Sequence, residues 1–443
     1  SHATVAFVVA ALLTGLPFTP PAAAAAPTFE SAPCPFVLPR GQVEGETMDC
    51  GYLVVPEDRS DPDSGTIRIA TAVFHPPGGA RHPDPVVYLE GGPGGSPLKL
   101  AGTLRDFERY YGPFVDSGRD LILIDQRGVG FSQPALECPA FSEVYLDLFD
   151  GRVGDDAERL SGDQMRALKV DVLAECAEDL RAVAALDSYT TAEIAADLED
   201  LRSALGYERL NLWGTSYGTW VALDAIRDHP DSIRSAILDA PLTPEADPYV
   251  DAPSSFARAL DEVFSACADD PACAQAYPEL RAVLATTVEQ LDALPATVEI
   301  LDPIRGERVL MSIDGATFLE LVFRALYQAP MRAALPQIIY AASDGVFDTI
   351  LTVAQLDVLR QDFRSWGMYF SVLCHDEIPF SSLDAFEAAV AEHPGLEGMY
   401  ADFEIGPLPF ELCPRWDARA ASSVEREPVE SDVPVLLTTG QYD

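Results

Sequence analysis

The chain has 443 residues and a formal net charge of −42, from 71 Asp and Glu against 29 Lys and Arg. So large an acidic excess repels polyanions and anionic membrane surfaces over the whole exterior, which excludes nucleic-acid binding and describes a solvated acidic shell. An apolar content of 48% is ample for the core of one large domain or two modest ones.

The first segment, residues 5–18, is apolar but too short to span a bilayer, and it runs through Pro17, Pro20 and Pro21 into the alanine run 22–26. This pattern predicts a secretory signal peptide over 1–26, lacking its basic leader and removed near Ala26, and therefore a secreted protein. No later segment is long and apolar enough for a membrane helix, so no membrane span is expected in the mature form. Eight cysteines in an exported chain predict disulfides, because thiols outside the cytoplasm are oxidised and an even count leaves none over. They fall into four sequence-local couples, Cys34 with Cys50, Cys138 with Cys176, Cys267 with Cys273, and Cys374 with Cys413. Sequence alone allows other connectivities; this is the expected one. There is no CxxC or close Cys/His cluster, so no metal site is expected.

Strands are predicted at 51–55, 66–74, 85–89, 121–124, 210–213, 233–238 and 433–438, alternating with helical stretches. The later strands are almost wholly apolar, as buried parallel strands are, and the alternation predicts an α/β fold, a mainly parallel sheet with helices on both faces. Before the fifth strand a helix is expected at 192–205, opened by a capping box from Thr190 to Glu193 and closed by Gly206. Two stretches break the alternation. Residues 135–186 form a charged helical insertion in the first core part, 27–243; residues 244–428 form a large helical cap inserted late in the sheet, before a second core part that starts at 429–443.

The chemistry concentrates at Gly214-Thr215-Ser216-Tyr217-Gly218, a G-x-S-x-G motif between an apolar strand and a helix-like run. That context defines the nucleophile elbow of the α/β-hydrolase fold, in which a strained turn lifts the serine above the sheet; Ser216 is the predicted nucleophile. A second loop, Glu90-Gly91-Gly92-Pro93-Gly94-Gly95-Ser96, follows another apolar strand, and its glycines free backbone N–H groups for an oxyanion. Gly92 and Tyr217 are the expected donors. A third, Asp125-Gln126-Arg127-Gly128-Val129-Gly130-Phe131-Ser132, is read as a brace under the site through hydrogen bonds of Asp125 and Arg127.

In order and spacing these three motifs resemble the proline iminopeptidase and tripeptidyl aminopeptidase family of α/β hydrolases, most closely its exported, cysteine-bearing tripeptidyl aminopeptidase branch. Glu90 departs from it, standing where iminopeptidases usually have histidine. The resemblance implies that Asp443, after the last predicted strand, is the triad acid. It also implies that the histidine base follows Asp443 after one more helix and strand, so residues 1–443 are expected to lack the base and the last strand and helix. Each of the six histidines has another explanation: His2 lies in the signal, His75 and His82 flank a loop, His229 and His393 precede prolines, and His375 would have to reach Ser216 without Asp443. The implied reaction is acyl transfer through an acyl-enzyme on Ser216, with no cofactor, releasing residues from peptide N-termini. Acidic cap residues would bind the α-ammonium, which points to Asp376 and Glu377 in Cys374-His375-Asp376-Glu377. A carboxylesterase acting on small acyl substrates and a non-catalytic binding protein on the same scaffold remain open alternatives, and the sequence leaves the oligomeric state undetermined.

Overall fold

The structure, a computed structural model, describes residues 27–103, 107–148, 160–302, 306–361, 363–401 and 404–442. The predicted signal peptide and Asp443 lie outside the described residues. In chain order the strands are β1 (Thr28–Ser31), β2 (Met48–Pro56), β3 (Thr66–Phe74), β4 (Val86–Leu89), β5 (Leu121–Ile124), β6 (Leu210–Thr215), β7 (Ile233–Asp239), β8 (Ala296–Leu301), β9 (Arg308–Ile313) and β10 (Val435–Thr438). Eight of them form one mixed sheet in the order β1-β2-β3-β5-β4-β6-β7-β10. The first three pair antiparallel with their neighbours, and β5, β4, β6, β7 and β10 run parallel.

Side chains alternate across this sheet. Leu53, Ile69, Val87, Leu89, Ile122 and Ile124 belong to one buried cluster, and Tyr52, Ala70, Val86, Tyr88, Leu121 and Leu123 to another. Both faces are therefore covered, which is why β4 and β5 read as unbroken apolar runs. The crossover between β4 and β6, with β5 on the far side of β4, leaves a crevice at the carboxyl ends of the central strands, where doubly wound sheets place their sites.

Two elements differ from the sequence expectation. The strand β1 and the antiparallel hairpin β8–β9 are additional; the hairpin lies inside the otherwise helical cap, and its strands are too short to stand out against the helical periodicity on either side. The helix Thr191–Leu205 starts with Thr190 accepting from the Glu193 N–H at 3.3 Å and ends at Gly206 in the left-handed region, φ 77°. The Glu193 carboxylate does not complete the capping box, because it pairs with Arg59 instead.

The two insertions meet. Helix Gly162–Arg181 of the first packs on helix Pro407–Trp416 of the cap, joined by Arg166 to Glu411 at 2.9 Å and Arg415 to Asp171 at 2.6 Å. The four disulfides are Cys34–Cys50, Cys138–Cys176, Cys267–Cys273 and Cys374–Cys413. Each ties an irregular segment to its neighbour; closing a loop like the first contributes about 3 kcal/mol on a chain-entropy account. Among the described residues no helix is long and apolar enough to cross a membrane.

Beneath the crevice, Arg127 is wholly buried and forks onto Asp197 of helix Thr191–Leu205 at 2.8 and 2.7 Å, while its third nitrogen donates to the carbonyls of Glu57 and Ser188 at 2.9 and 2.5 Å. Removing one partner of a buried pair strands the other. Arg127→Ala should lower the unfolding free energy by about 3 kcal/mol in urea titrations, since Asp197 would be left with Arg59 alone.

Candidate active site

Ser216 sits in the turn between β6 and helix Tyr217–Asp228 with φ 53° and ψ −126°, a conformation that L side chains rarely adopt. Its backbone is pinned from both sides: its N–H donates to the Asp239 carbonyl at 2.9 Å, and its own carbonyl accepts from the Thr219 N–H at 2.8 Å and hydroxyl at 2.6 Å. The flanking glycines are steric necessities. A Cβ on Gly218 would strike the Leu89 carbonyl of β4, and one on Gly214 would strike the Gly218 carbonyl. The serine itself is exposed, facing the crevice.

The glycine loop after β4 lies against it. A Cβ on Gly91 would lie 2.9 Å from Ser216 Cβ and 3.3 Å from its Oγ. The Gly91 N–H is already used, donating to Glu90 Oε1 at 2.9 Å, while Glu90 Oε2 accepts from the Tyr88 hydroxyl at 3.0 Å. Glu90 thus stiffens the loop from below. Among the described residues the N–H groups of Gly92 and Tyr217 have no protein acceptor, so this loop and the elbow each leave one donor open beside the serine.

The third loop underpins both. Asp125 is buried and accepts from the Ser96 hydroxyl at 2.8 Å and from the N–H groups of Leu98 at 3.2 Å and Phe131 at 2.8 Å. Burial outweighs these bonds and holds its carboxyl up at about 7. Gln126 donates to the Glu90 carbonyl at 3.2 Å. From above, Ser365 of the cap donates its N–H to the Gly94 carbonyl at 2.9 Å, and its hydroxyl accepts from the Gly130 N–H at 3.1 Å and donates to Glu137 at 3.1 Å. No sequence motif marks Ser365, because its role comes from where the cap lands.

The two cap carboxylates that the sequence treats alike are separated by the structure. Both lie in the π-helical turn Leu373–Glu377, and both are buried. Asp376 is fully engaged: Oδ2 accepts from the Thr191 N–H at 3.2 Å and hydroxyl at 2.8 Å, and Oδ1 bonds His375 Nδ1 at 2.8 Å. Three of its acceptor positions are thus occupied by the protein itself. Glu377, in contrast, has no hydrogen bond to its carboxyl among the described residues; burial and the charges of Asp376 and Asp247 push its pKa up to about 8 against the pull of Arg426. A carboxyl in that state gains most from an arriving cation.

Three of the described histidines have side-chain partners of their own. His75 bridges Asp120 and Asp49 at 2.9 and 3.1 Å, which raise its pKa to about 9 despite partial burial, and His393 bonds Ser254 at 3.1 Å. His375 is held by Asp376, which outweighs burial and keeps its pKa above the usual value. One ligand atom each from His375, Asp376 and Glu425 lies within 4.8 Å of the others, the spacing of a metal site. These groups are already bonded to the protein, with Glu425 accepting from the Ser422 N–H and hydroxyl at 2.8 Å, and the arrangement is that of a hydrogen-bonded cluster. The strand β10 pairs parallel with β7, and Ala240 N–H donates to the Thr438 carbonyl at 2.8 Å, so the loop leading to Asp443 leaves the sheet at the edge that carries Ser216.

Two outcomes follow from this geometry. Gly91→Ala should abolish reaction at Ser216 with a serine-directed phosphonate while near-UV circular dichroism stays native, because the methyl would press on the Thr215 carbonyl and on Ser216 Cβ and shift the serine. The second concerns pH. Glu377 and Asp224, the latter raised to about 8 by burial, with Asp376 and Asp228 adding to it and Arg227 opposing, hold protons in the folded chain that the unfolded chain releases near pH 4. The native state binds more protons between these values, so stability falls as pH rises from about 5 to about 8. Glu377→Gln should flatten that decline, read as melting temperature against pH.

Comparison with known proteins agrees with the topology. A family described as alpha/beta hydrolase fold matches residues 84–298. The serine protease Hip1 of Mycobacterium tuberculosis is 26% identical over 429 residues, 94% of this chain and 79% of that protein. A tripeptidyl aminopeptidase of Streptomyces lividans is 30% identical over 202 residues, 45% of this chain and 36% of that protein. A probable proline iminopeptidase of Leptolyngbya boryana is 26% identical over 166 residues, 38% of this chain and 34% of that protein. With its elbow between β6 and the following helix and its sheet order, the chain has the α/β-hydrolase fold.

Proposed function

We propose that the protein is an exported serine aminopeptidase that cleaves peptides near their free N-termini through an acyl-enzyme on Ser216. The observation that carries this reading is the backbone of Ser216 at φ 53°, with Gly91 packed against the serine side chain and the neighbouring N–H groups of Gly92 and Tyr217 without an acceptor among the described residues. In this reading Ser216 Oγ gives its proton to the base and attacks the scissile carbonyl, the N–H groups of Gly92 and Tyr217 receive the oxyanion, the C–N bond breaks as the leaving amine takes that proton, and water then releases the acyl group and restores the Ser216 hydroxyl. Deprotonating the serine takes an imidazole. In the order nucleophile, acid, base that the motifs imply, the base is assigned to a histidine beyond Asp443, and Asp443 holds its tautomer.

The cap supplies the preference for a free amino terminus. Glu377 is the ammonium partner, because its carboxyl is buried and unbonded among the described residues. A substrate ammonium would favour the ionised carboxylate and pair with it, whereas a blocked terminus would leave the buried acid in its raised-pKa state and gain no ion pair. The names of the relatives, a serine protease and a tripeptidyl aminopeptidase, support a peptide substrate. Four disulfides support export.

The test compares aminoacyl arylamides carrying a free amine, their N-acetylated counterparts and simple aryl esters, alongside phosphonate labelling of the intact protein. The free amine should be preferred by at least about tenfold in kcat/KM, Ser216→Ala should lose all turnover and labelling, and Glu377→Gln should erase the preference. Faster turnover of esters with no discrimination between amines would assign a carboxylesterase. Absence of a Ser216 adduct would reject an activated nucleophile.

A further inference from the structure

The bonds of Asp376 lead somewhere. Its carboxylate takes the Thr191 hydroxyl proton at Oδ2, and the Thr191 oxygen in turn lies 2.8 Å from the Tyr217 hydroxyl. A threonine has one proton to give. Since Thr191 gives it to Asp376, Tyr217 is the donor in the remaining bond, and the direction of the relay is fixed: Tyr217 to Thr191 to Asp376. Burial, with the nearby Asp376 charge, keeps the phenol pKa well above its usual value, so that proton stays in place.

Tyr217 is the residue after the nucleophile and the first of helix Tyr217–Asp228. The first N–H groups of a helix have no partner within it, so what fixes the aim of this one is whatever holds the first turn. The cap holds that turn twice. Arg426 donates to the Asp376 carbonyl at 3.2 Å and to the Ala246 carbonyl at 2.5 Å, and its guanidinium lies 5.0 Å from the ring centre of Trp220, one turn along the same helix. The π-helical turn carrying Asp376 is itself fastened by Cys374–Cys413 and by the Ala421 N–H on the His375 carbonyl at 2.9 Å. A π turn carries one more residue than an α turn, and such irregularities gather at functional sites.

We propose that Asp376 is a positioning residue: through Thr191 it locks the Tyr217 side chain and so aims the Tyr217 N–H at the developing oxyanion, making the cap a part of the acyl-transfer machinery as well as a selector of substrates. This rests on the reading of Ser216 as nucleophile and of Tyr217 N–H as an oxyanion donor. A relay that aims a donor acts on every substrate alike, whereas an ammonium ligand acts only on substrates with a free amine.

The experiment uses the intact protein and four variants: Asp376→Asn, Thr191→Val, Thr191→Ser and Tyr217→Phe, plus the double variant Tyr217→Phe/Asp376→Asn. Each is assayed with an aryl acetate and with a free-amine aminoacyl arylamide, and for the rate of phosphonate labelling. Asp376→Asn, Thr191→Val and Tyr217→Phe should each lower kcat about tenfold on both substrates, with KM within about twofold, while Thr191→Ser keeps the wild-type rate. The double variant should be no slower than the worse single one, because both cut the same relay. A merely structural role would lower melting temperature without this pattern. Tyr217→Phe at the wild-type rate would overturn the proposal, as would an Asp376→Asn defect confined to KM for the free amine. Failure of the unsubstituted protein to label would sink the hydrolase reading itself, which separates the two failures.

Discussion

Everything at this site depends on a backbone turn that L side chains resist. Ser216 at φ 53° is held there by a strand on one side, a helix on the other and the β4 carbonyls beneath. Strain of this kind costs of order 1–3 kcal/mol and persists only where the surroundings leave no alternative. Here Gly218 allows the helix to approach β4 so closely that no side chain fits, and Gly214 allows the turn to fold back on itself. The close approach brings Gly91 against the serine, so one steric fact yields both an exposed hydroxyl and a neighbouring run of backbone N–H groups.

The loops around that turn are organised as a stack. Asp125 ties the glycine loop to the loop after β5, Glu90 stiffens the glycine loop from within, and Ser365 clamps both from the cap. Arg127 anchors the stack to helix Thr191–Leu205 through Asp197, and the same helix begins at Thr191, which meets Asp376 and Tyr217. A single helix therefore links the floor of the site to its roof. The side chains that join these loops, Asp125, Glu90, Arg127 and Ser365, are each hydrogen-bonded, which leaves the open backbone donors of Gly92 and Tyr217 on a braced frame.

Much of this was legible from local sequence. The strands at 66–74 and 121–124 begin and end where apolar runs do, and Gly206 ends its helix because a left-handed residue is needed there. The elbow could be read because strand, turn and helix signals coincide within a few residues. What could not be read came from distant contacts. Glu193 has the spacing of a capping box, yet it turns to Arg59, 134 residues away. Ser365 and Thr191 carry no motif at all, since their importance lies in what the cap and the helix bring next to them. The hairpin β8–β9 is set by pairing within the cap rather than by any run long enough to notice.

The sharpest case is the pair Asp376 and Glu377. Sequence sees two adjacent acids in an acidic chain and has no reason to tell them apart. Along a helical turn, however, neighbouring side chains point in directions roughly 80–100° apart, so one can face the core while the next faces the cap interior. Asp376 meets Thr191 and His375, which bond it three times. Glu377 meets Asp376, Asp247 and Arg426, an environment in which burial and like-charge repulsion push its pKa up to about 8. The same functional group one residue apart is thus hydrogen-bonded in Asp376 and, among the described residues, unbonded in Glu377, and the difference is made by the fold around a turn of five residues.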